Sequence, residues 1–111
     1  MRGAGSLREI ITIERAANAR GEGGKTVRTW TPWRPGLRAE VVLLVGGEAL
    51  DAGVLQGRQV WRVTIRFLDG VTTADRVIWK GQTMQIRTAV DPDMKRQWTF
   101  MTCESGVAAD G

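Results

Sequence analysis

The sequence predicts an all-β protein, a small, partly open antiparallel β-barrel of about six strands with two long loops. The first observation is alternation, because every second side chain between Val60 and Phe67 is apolar and would share one face of a strand: Trp61, Val63, Ile65 and Phe67. The second is turn chemistry, since Asp69-Gly70 follows that run directly. A sheet of short strands removes its exposed edges by closing on itself, which favours a barrel.

Six segments have strand character, and we predict strands at 7–15, 37–45, 60–67, 76–79, 84–90 and 97–104. Two stretches between them lack an apolar period and are predicted to be long loops, 16–36 and 46–59. The first contains Pro32 and Pro35, and the second begins at a glycine pair, Gly46-Gly47. All of these elements fit one domain spanning residues 1–111.

The composition indicates a globular chain with a modest positive charge. Sixteen basic residues oppose twelve acidic ones, giving a net charge of +4 over 111 residues, and thirteen of the basic residues are arginines. Arginine suits protein interfaces and nucleic acid equally well, so charge alone does not choose between them. We expect no membrane association, because no apolar run is long enough to cross a bilayer.

The residues that usually carry catalysis or bind metals are scarce. Histidine is absent, and Cys103 is the single cysteine, which we expect to be a buried thiol. The carboxylates show no paired spacing typical of acid–base catalysis, and no phosphate-binding glycine motif occurs. We therefore predict no catalytic, cofactor or metal site, and a protein that is not an enzyme.

The five tryptophans fall into two groups. Trp61, Trp79 and Trp98 lie in predicted strands and are expected to fill the core. Trp30 and Trp33 lie in the first long loop, where two interpretations stay open. They form a lid on one end of the barrel, which we prefer, or they anchor a partner protein, since exposed tryptophan and arginine are enriched in interface hot spots.

With the strands laid out, the chain resembles the phage head-tail joining family (head closure or stopper proteins) of long-tailed phages and gene transfer agents. The resemblance covers nearly the whole chain and rests on short pieces in one order: Leu7-Arg8, Ile11-Thr-Ile-Glu-Arg15, Gly23-Gly24, Thr29-Trp30, Ala39-Glu-Val41, Gly46-Gly-Glu48, Val63-Thr-Ile-Arg66, Gly70-Val71, Arg76-Val77, Gly81, Ile86, Val90-Asp91 and Cys103-Glu104.

The resemblance implies a structural protein of the neck, at the head–tail interface of a virion assembled in the host cytoplasm. Such a protein would form a homo-oligomeric ring of six or twelve copies below the portal-adaptor proteins. It would close the channel around packaged double-stranded DNA and dock a tail terminator or tail tube protein. The alternative from a different class is a monomeric, basic β-barrel that binds single-stranded nucleic acid.

Within that interpretation, the second long loop is the candidate channel plug, with an ordinary mobile loop as the equal alternative. Its candidate residues are Gly46, Gly47, Glu48, Leu50, Asp51, Val54, Leu55 and Arg58. Candidate contacts with other copies or partners are Arg20, Lys25, Arg28, Trp30, Trp33, Arg62, Arg66 and Arg87. Of these, Arg62, Arg66 and Arg87 are expected to be exposed on the barrel, where a solvated face is the simpler explanation of each.

Overall fold

A computed structural model of the protein describes residues 7–45, 47 and 59–105. Within these residues the chain forms six strands: β1 (Glu9–Arg20), β2 (Thr26–Leu44), β3 (Gln59–Arg66), β4 (Arg76–Trp79), β5 (Gln82–Val90) and β6 (Trp98–Ser105). A 3₁₀ turn at Glu22–Gly24 connects β1 to β2. No helix in this part of the chain is long and apolar enough to cross a membrane.

The six strands belong to one antiparallel sheet that closes in a ring, in the order β1-β2-β3-β6-β5-β4. The closing ladder joins β1 to β4 through only three residue pairs, from Thr12–Ile78 to Glu14–Arg76. Longer ladders join β3 to β6 and β2 to β3. The predicted small antiparallel β-barrel is confirmed. Because the sheet is closed, the described strands have unpaired edges only where they extend out of the ring.

The interior of the ring is filled by side chains that alternate along the strands. β3 contributes Val63 and Ile65, and β6 contributes Met101 and Cys103 to the same cluster. Each large apolar side chain buried in this way stabilises the fold by roughly 1.5–3 kcal/mol. The remaining buried members of the core are Ile11, Ile13, Ala39, Val77, Trp79, Met84 and Ile86.

A two-residue turn connects β4 to β5. Lys80 and Gly81 both have positive φ, +49° and +76°, between the paired residues Trp79 and Gln82. Two successive positive φ values produce the turn whose twist matches that of an antiparallel hairpin. Glycine adopts this conformation without steric cost, so Gly81 explains where the hairpin reverses.

The prediction of a long loop at 16–36 is wrong. Residues 16–20 continue β1 and residues 26–36 belong to β2, so most of the predicted loop is a two-stranded β-ribbon. The two strands pair from Arg15–Thr31 to Arg20–Thr26, and Gly21 N–H donates to the carbonyl of Lys25 at 2.7 Å. Most side chains in this ribbon are exposed, so the apolar alternation that marks a half-buried strand never develops.

The β1–β2 ladder is irregular where the ribbon leaves the barrel. Its register shifts twice, between Ile11 and Ile13 and again between Ile13 and Glu14. Both shifts place extra residues in β2, around Pro35-Gly36 and at Trp33. Bulges of this kind bend a strand and increase its twist, which turns the ribbon away from the closed sheet.

The second predicted loop, 46–59, lies largely outside the described residues. Gly47 is exposed, and Gln59 is the first residue of β3 rather than the last residue of a loop. The other plug candidates, Gly46, Glu48, Leu50, Asp51, Val54, Leu55 and Arg58, are not among the residues that the structure describes.

Candidate functional site

The most prominent feature outside the barrel is the ribbon formed by residues 15–31, which we call the arm. Among the described strands, β1 pairs only with β2 beyond the pair Glu14–Arg76, and the pairing of β2 with β3 begins at Ala39. At the rise of a β-strand the arm is about 20 Å long. The longest dimension of the molecule, 53 Å against 31 Å and 25 Å, is consistent with such a projection.

The two faces of the arm differ in chemistry. Directly paired residues share a face, so Asn18 lies beside Arg28 and Arg20 beside Thr26. We call this the cationic face, defined by Asn18, Arg20, Thr26, Arg28 and Trp30. The opposite face carries the exposed, uncharged residues Ala17, Val27, Thr29 and Thr31, with Arg15 beside Thr31 at its base.

Three predicted contact residues lie together on the arm. Arg20, Lys25 and Arg28 are all exposed near its tip, and Glu22 is the only acidic residue in the sequence between 16 and 36. A cluster of exposed cations creates a positive potential that attracts polyanions. The structure thus gathers these three candidates on one projecting element.

The inner base of the arm is held by a buried carboxylate. Asp75 is 1% exposed and accepts hydrogen bonds from Arg15 Nε at 2.9 Å and Arg15 Nη2 at 3.0 Å, and from the Thr72 N–H at 3.0 Å. Burial acts to raise the pKa of Asp75, but the bonds from Arg15 and Thr72 outweigh it and the net pKa is lowered. The bond to Asp75 likewise raises the pKa of Arg15.

Trp33 extends this contact into the core. The centre of its ring lies 3.8 Å from the Arg15 guanidinium carbon, and the ring packs against the buried core cluster. Gly70 approaches the same ring closely, since a Cβ there would be 3.5 Å from two ring carbons, and its carbonyl accepts a 2.7 Å bond from Arg15. We call Arg15, Trp33 and Asp75 the inner clasp.

A second contact holds the other side of the base. Arg76 Nε donates to Glu14 Oε1 at 2.8 Å, and its guanidinium carbon lies 4.1 Å from the centre of the Trp30 ring. A cation over an indole ring contributes about 0.5–1 kcal/mol where it is exposed and more where it is desolvated. We call Glu14, Trp30 and Arg76 the outer clasp.

The two predicted loop tryptophans therefore hold the arm to the barrel. Trp33 packs against part of the core, the position expected of a lid. Trp30 lies instead over Arg76, on the other side of the arm. Both are half-buried. Sequence reasoning missed Asp75 and Arg76 as their partners, since sequence separations of about 60 residues give no local signal.

The other predicted contact residues lie on the barrel, away from the tip of the arm. Arg87 is exposed and donates to Glu104 at 2.7 Å. Arg66 is exposed at the end of β3, 5.7 Å from the Trp98 ring centre. Arg62 is half-buried rather than exposed, and Thr64 on the same face of β3 is fully buried.

An apolar groove lies where β2 departs from β3. It has a volume of about 420 Å³, and Leu37, Ile65 and Phe67 line it beside the exposed Arg38 and Arg66. A neighbouring hollow shares Arg66 and Phe67 and adds Arg96, Gln97 and Trp98. No carboxylate of the described residues lines either of them, so this end of the barrel combines apolar surface with cations.

The strand tryptophans contact their own chain. Trp61 and Trp79 pack edge to face with ring centres 5.1 Å apart, and their indole N–H groups donate to Ser105 and Glu9. Cys103 is fully buried, and burial raises the pKa of its thiol to about 12. A neutral, enclosed thiol is a poor nucleophile. In the described part of the chain no three potential metal ligands cluster.

Comparison with known proteins identifies the family. The model of the phage head completion protein family matches residues 2–106, almost the entire chain. The chain belongs to the phage head completion protein family. It is accordingly a virion component with a phage head–tail structural role.

Solved structures share the fold of this head completion protein. The solution structure of SF1141 from Shigella flexneri 2a has a TM-score of 0.76 at 24% identity, covering 97% of this chain and all of that one. A chain in the virion of a native gene transfer agent particle has a TM-score of 0.68 at 14% identity, with 93% and 97% covered. The protein xkdH of the Bacillus subtilis phage-like element PBSX reaches 0.50 at 11% identity, with 86% and 91% covered. The search of curated proteins found no match.

Proposed function

We propose that this protein is a non-enzymatic stopper of the neck of a tailed phage or phage-like particle. It forms a ring below the portal-adaptor proteins, closes the DNA channel after packaging and docks the tail. Membership of the head completion family carries the proposal. The arm adds physical support, because it presents Arg20, Lys25 and Arg28 on an element that reaches beyond the barrel.

In this proposal the exposed cations near the tip of the arm, Arg20, Lys25 and Arg28, contact the phosphate backbone of the channel DNA. A ring repeats the same cations in every copy, so a weak attraction per copy becomes a strong one overall. The triple variant Arg20→Gln/Lys25→Gln/Arg28→Gln should weaken binding to duplex DNA. The slope of log K against log salt should fall by about 0.9 for each phosphate that the variant no longer neutralises. Fluorescence anisotropy of a labelled short duplex across a potassium chloride series measures both quantities.

A matched control removes the same charge from the barrel. Arg66→Gln/Lys95→Gln/Arg96→Gln changes three exposed cations that lie outside the arm. This control should retain most of the affinity and most of the salt slope. Equal losses in the two triple variants would show that net charge alone, and not the arm, determines binding.

The plug assignment has its own test, because its residues lie outside the described part of the chain. Deleting residues 50–55 should leave assembly intact while mature particles lose their DNA, measured as the DNA-to-protein ratio of purified particles. Particles that keep their DNA after this deletion would rule out the plug. Loss of the protein from particles would instead assign the segment to assembly.

The alternative function, a monomeric barrel that binds single strands, requires aromatic rings open to stacking bases. Each tryptophan here is buried or half-buried, and Trp30 and Trp33 already stack on arginines. The stopper proposal therefore accounts better for the aromatic residues. Tighter binding to a single-stranded oligonucleotide than to a duplex of the same length would favour the alternative.

A further inference from the structure

The hydrogen-bond pattern of the arm shows which backbone groups point outward. Gly21 N–H bonds to the Lys25 carbonyl, so residues 21 and 25 form a hydrogen-bonded pair. In an antiparallel ladder such pairs alternate with pairs whose N–H and C=O groups face away from the partner strand. The pairs Asn18–Arg28 and Arg20–Thr26 are of this second kind.

Each arm consequently has two edges with outward-pointing backbone groups, one along β1 and one along β2. On the β1 edge, Ala16, Asn18 and Arg20 point their backbone N–H and C=O groups outward, and no described strand pairs with them there. On the β2 edge, Thr26 and Arg28 do the same. Pro32 has the same outward orientation but has no N–H to donate, so the β2 edge is blocked towards the barrel.

We propose that the β1 edge of one arm pairs with the β2 edge of the arm of a second copy, so that the arms of neighbouring copies form a continuous antiparallel sheet. The inference rests on the ring proposed above, and it names the contact that joins its members. Backbone hydrogen bonds across free edges are a common mode of protein association.

Polarity and geometry favour a second copy as the occupant of this edge. When hairpins stand side by side around a rotation axis, β1 of one lies next to β2 of the next, and the two run antiparallel. The edges that meet are different, which is the kind of contact that closes into a ring. Both present outward groups at every second residue, with the same spacing, so the ladders are complementary.

Side-chain charge permits the same register as within the hairpin. That register places Asn18 opposite Arg28 and Arg20 opposite Thr26, so no two cations oppose each other directly. Pairing also repeats the two faces of the arm around the ring. Arg20 and Arg28 then lie on one continuous surface, and Ala17, Val27, Thr29 and Thr31 lie on the other.

Disulfide trapping in assembled particles tests the contact. Particles are produced with the chain supplied as Asn18→Cys alone, as Arg28→Cys alone, or as both variants co-expressed, and are then oxidised mildly. The native Cys103 is buried and does not take part. We expect a covalent dimer only in the co-expressed particles, since directly opposed residues on paired strands lie within disulfide distance.

The outcomes separate this inference from the ring proposal. A dimer in particles carrying Asn18→Cys alone would mean that two β1 edges pair symmetrically and would overturn the inference. Absence of dimer from particles that contain the chain would also overturn it, while leaving the ring proposal intact. If the wild-type protein is absent from the necks of purified particles, the ring proposal itself fails.

A backbone substitution gives an independent measurement. Asn18→Pro removes one outward N–H, just as the native Pro32 lacks one on the other edge, whereas Asn18→Ala keeps the N–H and removes only the side chain. We expect Asn18→Pro to weaken assembly by about 3- to 10-fold per interface, measured as copies retained per particle, with Asn18→Ala close to wild type. Equal retention of Asn18→Pro and Asn18→Ala would contradict the paired edge, provided that the urea midpoint shows both folded.

Discussion

Strands β1 and β2 run through both the barrel and the arm, yet the two regions are stabilised by different interactions. In β1, Ile11 and Ile13 are buried in the core, while Ala17 and Asn18 on the same strand are exposed. The barrel is stabilised by apolar burial from six strands. Among the described residues, the arm is held by its own β1–β2 ladder and by the two clasps at its base. Changes in the barrel should therefore alter stability, and changes in the arm should alter association.

Truncating one apolar side chain in each region should give the largest contrast. Ile65 is 1% exposed in the core, so Ile65→Ala should lower the free energy of unfolding by about 2–5 kcal/mol. Val27 is 45% exposed on the arm, so Val27→Ala should change it by at most about 0.5 kcal/mol. Urea unfolding followed by tryptophan fluorescence measures both. A large loss for Val27→Ala would show that the arm carries part of the core.

The inner clasp, where the two regions meet, should give the next largest effect. Asp75→Asn removes the charge that faces Arg15 and should cost about 1–3 kcal/mol, near the lower end because Arg15 is partly exposed to solvent. The matched control is Asp93→Asn, the same substitution at an exposed position in the turn after β5. Urea midpoints for the two variants should differ clearly, and equal midpoints would mean that the clasp adds nothing.

The same carboxylate predicts a pH dependence. The folded pKa of Asp75 lies below its ordinary value of 3.8, so its stabilising contribution is complete above about pH 4. That contribution is lost as the pH falls through the lowered folded value. Urea unfolding at pH 7 and pH 3 should thus show a smaller acid loss in Asp75→Asn than in the wild type. An identical acid loss would place the responsible carboxylates elsewhere.

Much of the barrel follows from the sequence, because a closed sheet imposes alternation on strands that it half buries. The predicted strand at 76–79 matches β4, and those at 60–67 and 97–104 differ from β3 and β6 by one residue at each end. The arm could not be predicted from the sequence in this way. Neither of its faces is buried, so its strands do not need alternating apolar and polar residues. The available signal was the β-branched and aromatic residues on either side of Arg28, namely Thr26-Val27 and Thr29-Trp30-Thr31.

The sequence predicts less of the candidate site than of the fold. Sequence reasoning named Arg20, Lys25 and Arg28 among its candidate contact residues, and these three lie together on the arm. It did not find Asp75 or Arg76, because long-range pairing fixes their partners and no local pattern marks them. The groove at Arg38 and Arg66 was also missed, since it exists only where β2 leaves β3.

Weakening the outer clasp should loosen the arm with a smaller effect on overall stability. Trp30→Ala removes the ring that stacks on Arg76 and should cost about 1 kcal/mol. We expect faster amide hydrogen exchange within 15–31 and unchanged exchange in β3 and β6. Thr29→Ala, which removes only a hydrogen bond to the Ala17 carbonyl, is the control. Faster exchange throughout the barrel would show that arm and barrel open as one unit.

Restoring a donor to the blocked edge should have the smallest effect on stability and a clear effect on association. Pro32→Ala and Pro92→Ala should each cost about 0.4–1 kcal/mol, because both loosen the unfolded chain in the same way. Only Pro32→Ala adds an outward N–H beside Arg28 and Trp30, whereas Pro92 lies in an exposed turn. Sedimentation velocity over a concentration series should therefore detect stronger self-association for Pro32→Ala alone. Equal association of the two variants would mean that proline at position 32 does not protect the β2 edge.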